Sequence, residues 1–522
     1  MLPRRGPWLW IALSSVAWAL CYPPFPLGPL AFVVLVPAFM ATMRLSLKRA
    51  FWYHFSAGVL YNAVMYWWIY NVMKVGPALV IGLGLILMIL FLSSFNGLLG
   101  WLFRFLADRP YGLLAFPVLW GGVEVLRTLG EMSFPWNDMG YTLGNHPWFI
   151  QASSFLGIFG LSMAIVSCNC LAFAAWRNRG KARLLHATVA AAIPLFLAVQ
   201  GGISLSRPDP AAHGELDISL VQPSIPQTKK WDEHYFQDVM QKTWDTMEGS
   251  GAPSPIAGTD LVVLAETAVP DFLRSRSELY GKFQAEAQET GADFLVGALD
   301  FVPDPKPYHA YLFYNSAFLF SAKSPRDSVL QYSKLRLVPF SERLPFDDVF
   351  PIINYVNLGE GDFSPGKDYA LWHRGINYSP SICYEIIYPD FARGARRRGA
   401  DLLVNITNDG WFGYSNAPFQ HANIARFRAI EVGAPIARCS NAGISVFYDY
   451  KGRILGKSRL QDQVVLRRKV PIITRDTWYL HHGDAVETGL AWIFLFGFTA
   501  SSVTAWRKMR SAKNRAKDGA AA

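Results

Sequence analysis

The chain has 522 residues, of which 52% are hydrophobic, 15% aromatic and only 17% charged, with 18 tryptophans. That is too apolar for an ordinary soluble enzyme and points to membrane segments. The net charge of +10 does not make a nucleic-acid face, because Arg507, Lys508, Arg510, Lys513, Arg515 and Lys517 crowd into one short tail, which reads as a topology signal rather than a phosphate track.

In chain order, hydrophobic stretches near 8–22, 26–43, 51–73, 77–103, 111–127, 153–175 and 184–203 predict seven membrane helices, and 487–506 predicts an eighth. Pro and Gly punctuate the gaps, as in YPPFPLGP (22–29) and KVGPA (74–78). Basic residues gather at Arg4–Arg5, at Arg44, Lys48 and Arg49, at Arg104 and Arg109, at Arg177, Arg179, Lys181 and Arg183, and in the tail. The alternate loops are nearly free of them, with only Lys74 in 74–78 and none in 22–29 or 128–150. This alternation puts both termini in the cytoplasm and the long segment 206–484 outside. Residues 1–21 also fit a cleaved signal peptide, since a basic start, an apolar run and Ala17-Trp18-Ala19 follow that pattern; a retained helix is the preferred reading.

The exported segment changes character. Strands are expected at LDISLVQ (216–222), DLVVLAE (260–266), DFLVGALDF (293–301), YNSAFLFS (314–321), NYSPSIC (377–383), DLLVNIT (401–407) and ISVFYDY (444–450). Helical patterns at 232–248, 271–290 and 419–433 interleave with them, which makes an α/β domain of about 260 residues. Only 511–522 reads as disordered.

Cys21, Cys168 and Cys170 fall in apolar stretches as small packing residues. Cys383, in SICYEIIYPD, has three readings: a buried hydrophobe, half of a disulfide with Cys439, or a nucleophile. A thiol nucleophile needs a base or cation beside it and donors for an oxyanion. Glu266 closes the strand DLVVLAE, Lys334 sits in QYSKLRLVPFSERLPF and Cys383 ends NYSPSIC, so a carboxylate, an ammonium and a thiol stand at three strand ends where one α/β site could gather them. Singly, each has a plain alternative: a solvated carboxylate, a surface charge, a core residue.

LAETAVP around Glu266, YSKLRLVPF around Lys334 and ICYEIIYPD around Cys383 resemble the three signature blocks of the nitrilase superfamily, and VNITNDGWFG (404–413) with HANIARFRAIEVG (421–433) extends the likeness. With seven helices before the domain and one after it, the whole chain resembles the apolipoprotein N-acyltransferases of Gram-negative bacteria. The resemblance implies an eight-helix membrane part (1–205 and 485–506), a periplasmic αββα sandwich (206–484) and a cytoplasmic tail (507–522) in the inner membrane. It also implies transfer of an acyl chain from a phospholipid, through a cysteine thioester, to the α-amino group of a diacylglyceryl-modified lipoprotein, with ping-pong kinetics. Cys383 is then the nucleophile, Glu266 the general base and Lys334 the oxyanion-stabilising cation. Glu342 matches a further essential carboxylate, Tyr384 and Glu385 the pair after the nucleophile, and Trp231 a tryptophan tied to substrate handling. SER at 341–343 departs from the GEY of many relatives. Nothing implies a cofactor, a metal or an oligomer, and a monomer is expected.

Two readings stay open for Glu385, catalytic support or orientation of neighbours, and two for Trp231, substrate lining or core. The stretch RLPFDDVFPIINYVNLGEGDF (343–363) is either packed within the domain or a lid facing the bilayer. Glu124 and Arg127 could pair at the end of an apolar segment, and His481-His482 lacks convincing partner ligands. Rival functions are a membrane-tethered amidase cleaving a periplasmic C–N bond, which the same three residues would serve, and a transporter or scaffold whose exported domain only binds, which would need paired polar residues or broken helices at midplane, of which the sequence has few.

Overall fold

Each of the eight apolar stretches contains a helix in the computed structural model, which describes residues 6–73, 78–249, 251, 253–304, 311–322, 329–346, 349 and 363–521. Among the described residues, four helices are long and apolar enough to cross a bilayer: Ile81–Leu106, Ser153–Arg177, Gly180–Ser206 and Trp478–Arg507. The other expected crossings are shorter or more polar. Pro7–Ala19 has 13 residues and Gly112–Leu126 has 15, about 20 Å of helix against a hydrocarbon core of roughly 30 Å. Leu47–Tyr66 has 20 residues but carries Lys48, Arg49 and His54. Proline is one cause of the shortening, since Pro23, Pro24 and Pro26 follow the first helix and bar its continuation. The first helix packs into the bundle, with Trp18 stacked on Tyr61 at 4.1 Å between ring centroids. At the other end, helix runs unbroken from Trp478 to Ala521, so the backbone of 511–521 is helical where disorder was expected.

Between the helices Gly180–Ser206 and Trp478–Ala521 the described residues make thirteen strands. They are β1 (Gly214–Gln222), β2 (Leu261–Leu264), β3 (Val269–Phe272), β4 (Asp293–Pro303), β5 (Tyr311–Phe320), β6 (Leu330–Ser333) and β7 (Trp372–His373), then β8 (Asn377–Ile382), β9 (Leu402–Thr407), β10 (Ile436–Ser440), β11 (Val446–Tyr448), β12 (Ile454–Lys457) and β13 (Val464–Ile472). One sheet has the order β13-β1-β2-β4-β5-β6, with β3 also on β4, and the other has β12-β11-β10-β9-β8-β7. All seven expected strands are present. The expected helices are Phe236–Glu248, Ser277–Thr290 and Ala417–Val432; the second starts late because 269–272 joins the sheet as β3.

Alternation along the strands builds the layers. In the first sheet Leu220, Leu261, Val263, Leu295 and Leu319 point into the core shared with the second sheet. Their neighbours Val221, Val262, Leu264, Phe294, Val296, Phe318 and Phe320 point the other way, against Trp244 and Phe283 of the helices Phe236–Glu248 and Ser277–Thr290. The second sheet carries Pro389–Arg397 and Ala417–Val432 on its far side. Helix, sheet, sheet, helix is the expected sandwich. β1, β2 and β4 are parallel, as are β8, β9 and β10, and β6 regains the direction of β4 through antiparallel β5. The carboxyl ends of β2, β6, β8 and β9 therefore lie together.

The segment 127–146 lies between these ends and the membrane helices. Trp136 Nε1 donates to Gln420 Oε1 at 2.8 Å, and Ser133 Oγ pairs with the Tyr388 hydroxyl at 2.7 Å. Asn71 Nδ2 donates to the Phe412 carbonyl at 2.8 Å. Arg127 does not pair with Glu124: its guanidinium lies 3.7 Å from Asp138 Oδ1, while Glu124 Oε1 accepts from Trp120 Nε1 and the Met139 N–H. Arg393, fully buried, reaches the last helix through Asp484 and Glu487, each at 2.7 Å.

Candidate active site

Cys383 is the first residue past β8, in a 3₁₀ turn Cys383–Ile387, with φ +49°. A non-glycine residue in the left-handed region is uncommon, and here it turns the thiol out of the strand. The other four cysteines are buried and all five are free, so the Cys383–Cys439 disulfide does not form; Cys439 Sγ faces the carbonyls of Val221 and Val263.

Glu266 lies two residues beyond β2, its carboxylate buried. Oε1 accepts from Asn315 Nδ2 at 2.8 Å and faces Lys334 Nζ at 3.4 Å; Oε2 accepts the Asn408 N–H at 2.9 Å. Lys334 follows β6 directly, and its buried ammonium donates to Glu342 Oε1 at 2.7 Å. Glu342 Oε2 in turn accepts the Val338 N–H at 2.8 Å. Burial works to lower Lys334, but Glu342 first, then Glu266, outweigh it, so the ammonium stays above the ordinary lysine range. Cys383 is pushed up by burial and by the Glu266 charge, against the pull of Lys334. It rests as a neutral thiol, and an adjacent base has to take its proton before it can attack.

Glu385 is fully buried, and four donors surround it: the Ile382 N–H at 2.7 Å, the Leu335 N–H at 2.6 Å, the Arg336 N–H at 3.2 Å and the Tyr332 hydroxyl at 2.7 Å. It ties the turn of Cys383 to the segment of Lys334, which favours orientation of neighbours. The Tyr384 hydroxyl donates to the Ser133 carbonyl at 2.5 Å, joining the same turn to the segment between the apolar helices Gly112–Leu126 and Ser153–Arg177. Trp231, 40% exposed at the end of the short helix Gln227–Lys230, is not a core residue. Most of the 343–363 stretch, assigned either packing or a lid, lies outside the described residues.

Sequence reasoning did not single out two further sets of residues. Behind Cys383, His421 Nε2 is 3.2 Å from the Cys383 carbonyl and Nδ1 is 3.0 Å from Asp409 Oδ1, whose Oδ2 accepts from Arg438 at 2.8 Å. Burial alone would raise Asp409, but Arg438 and His421 hold it at about 2. The second is Lys230, 1% exposed, whose Nζ donates to the main-chain carbonyl of Glu266 at 3.0 Å. His421 lies within the HANIARFRAIEVG block and Asp409 within VNITNDGWFG, so a signal existed for them; Lys230, beside Trp231 in KKW, gave none.

Residues 14–171 match the apolipoprotein N-acyltransferase N-terminal domain, and residues 217–470 match the carbon-nitrogen hydrolase family. The apolipoprotein N-acyltransferase of Geobacter metallireducens is 31% identical over 517 residues, covering 97% of this chain and 96% of that protein. Proteins of the same description from Chlorobaculum tepidum (27%, covering 91% and 92%) and Allorhizobium ampelinum (31%, covering 80% and 79%) match comparably. Among solved structures an amidase from Nesterenkonia sp. overlaps 54% of this chain and 97% of its own, at 18% identity and a TM-score of 0.35, a likeness too loose to argue from.

Proposed function

The chain belongs to the apolipoprotein N-acyltransferase family, and from that premise we propose that it transfers an acyl chain from a phospholipid, through a thioester on Cys383, to the α-amino group of the diacylglyceryl-modified N-terminal cysteine of a lipoprotein. The observation that carries this reading over a tethered amidase is the seat of the nucleophile turn. Tyr384 and Tyr388 bond Ser133, and Trp136 lies 5.1 Å from His421, so the site is built against the membrane part rather than held clear of it. A lipid ester arriving laterally through the bilayer meets such a site; a small soluble amide has no need of it.

In the first half-reaction Glu266 takes the Cys383 proton and sulfur attacks the ester carbonyl carbon. The oxyanion forms beside Lys334, with the Tyr384 N–H as second donor. Collapse breaks the ester C–O bond, and the departing lysophospholipid oxygen takes the proton from Glu266. In the second half the neutral acceptor amine attacks the thioester carbonyl and gives a proton to Glu266. The C–S bond then breaks, and the thiolate recovers that proton. Two substrates using one site in turn is ping-pong behaviour. Glu342 holds Lys334 in its charged form, Tyr384 and Glu385 hold the turn, and Trp231 lines the acceptor's approach.

Eight crossings, with 1–205 and 485–506 in the membrane, 206–484 in the periplasm and both termini with the 507–522 tail in the cytoplasm, complete the proposal, supported by the alternating basic loops. The chain acts as a monomer on its two lipid substrates. Incubating the purified protein with acyl-labelled phospholipid tests the chemistry: hydroxylamine-labile label is expected on wild type and none on Cys383→Ser. Absence of label on wild type, or the same labile label on the variant, overturns it. Reporter fusions after residue 206 are expected to be active only outside the cytoplasm.

A further inference from the structure

Three lysines are buried among the described residues. Lys334 has Glu342 and Glu266 within 3.4 Å, and Lys451 has Asp209 at 2.9 Å. Lys230, as deeply buried as Lys334, has no carboxylate within ion-pair distance among the described residues; its hydrogen bond goes to a neutral acceptor, the carbonyl of Glu266. A buried ammonium without a counter-ion is costly, and such groups collect at functional sites. The helix Gln227–Lys230 delivers it there, beside Trp231, whose ring centroid is 6.0 Å from Nζ.

We propose that Lys230 is a positioning residue of the acyl-transfer site, a second buried cation that grips the main chain of Glu266 and governs how readily Cys383 ionises. This rests on Cys383 being the nucleophile. Two lysines then have different tasks. Lys334, clamped by two carboxylates, is a permanent cation for the oxyanion. Lys230 is lowered by burial to about 7, with Glu266 and Cys383 the charged groups acting on it, so it changes state in the working range of the enzyme. Its neighbour Lys229 turns away to the ring of Tyr235, 5.1 Å off. Below about pH 7 the Lys230 ammonium supports the Cys383 thiolate; above it that support is withdrawn, just when free acceptor amine becomes more plentiful.

The test reads the thiolate directly and needs no lipid. The rate of Cys383 alkylation by iodoacetamide is measured on the full chain in detergent from pH 6 to 9, against a Cys383→Ser blank, for wild type, Lys230→Met and Lys230→Arg. A neighbouring opposite charge moves a thiol by about one pKa unit or more, so wild type is expected to react about tenfold faster than Lys230→Met at pH 6, with the two rates converging by pH 9. Lys230→Arg, charged throughout, matches wild type at pH 6 and exceeds it at pH 9. Glu385 titrates in the same range, but it is common to all three proteins and cancels in the ratios. A wild-type to Lys230→Met ratio that does not change with pH, or an arginine variant that parallels wild type throughout, overturns the proposal. Failure of lipid labelling with these alkylation ratios intact would instead count against the acyl-transfer reading.

Discussion

The hydroxyl of Tyr384, the residue after Cys383, donates to the main-chain carbonyl of Ser133 at 2.5 Å, across 251 positions of sequence. A turn of the α/β domain is thereby pinned to a segment that joins the apolar helices Gly112–Leu126 and Ser153–Arg177, and the pin has chemical consequences.

Tyr384→Phe removes that bond and leaves Ser133 O with only the weaker Tyr388 contact at 3.3 Å. A lost buried hydrogen bond costs about 1 kcal/mol, so thioester formation is expected to slow roughly five- to tenfold while the protein stays folded. Labelling rate and thermal midpoint, measured together, check this; an unchanged rate would show that the pin does not position the nucleophile.

Glu342→Gln keeps the shape of the side chain but removes the carboxylate 2.7 Å from Lys334. Breaking one partner of a buried ion pair costs about 3–5 kcal/mol, and Glu266 at 3.4 Å offsets only part of it. The thermal midpoint is expected to fall and thioester formation to drop more than about tenfold, with Glu342→Asp retaining more of both. Equal losses in the two variants would point to shape rather than charge.

Glu385 titrates at about 7 because burial opposes its charge, against about 4.3 for glutamate in an unfolded chain. Between those values the folded protein holds a proton that the unfolded chain has released, so the Glu385 contribution to stability falls as pH rises from about 4.3 to about 7. Glu385→Gln cannot ionise and removes that slope. It also sets an amide N–H2 among donors, at about 1–3 kcal/mol for each bond lost, so stability falls overall. Thermal midpoints from pH 4.5 to 7.5 are expected to show a lower and flatter curve for the variant; the wild-type slope persisting in it would assign the titration elsewhere.

Arg393 is buried between Asp484 and Glu487 of the last helix. Arg393→Met leaves Glu487 largely buried without its cation, an expected loss of about 3 kcal/mol. Asp484→Asn, at a half-exposed position, is expected to cost less than about 1 kcal/mol. Unfolding of both variants in one detergent ranks them, and the reverse order would show that this network does not fasten the domain to the helix.

The parts of the fold that were legible in sequence are those where burial is written as periodicity. β1, β4 and β9 are runs of Val, Ile and Leu between turn residues. β10 escaped because Arg438 interrupts IARCS, and the Asp409 carboxylate, 29 residues away, together with the Asn405 side-chain oxygen makes an arginine tolerable inside it. β13 reads VVLRRKVPI because it lies at a sheet edge, where Arg467 can reach back to Asp217. Cys383, Glu266 and Lys334 were visible through their blocks, whereas Lys230 was not: its burial comes from a turn 36 residues further on. Glu124 and Arg127 looked like partners because they are one helical turn apart, but the chain beyond brings in Asp138 as the closer charge.

The first and last strands of the α/β domain are neighbours: β1 pairs antiparallel with β13 along its whole length, from Gly214 opposite Ile472 to Gln222 opposite Val464. The incoming helix ends at Ser206 and the outgoing one starts at Trp478, both a few residues from the same end of that ladder, where Gly214 faces Ile472. A domain whose two ends emerge side by side is suited to insertion, since it can be spliced into a loop of another protein without disturbing either fold. Two adjacent stalks also resist swivelling in a way that one tether would not. The layout is that of a free-standing enzyme grafted into a membrane protein and held at a fixed angle over it.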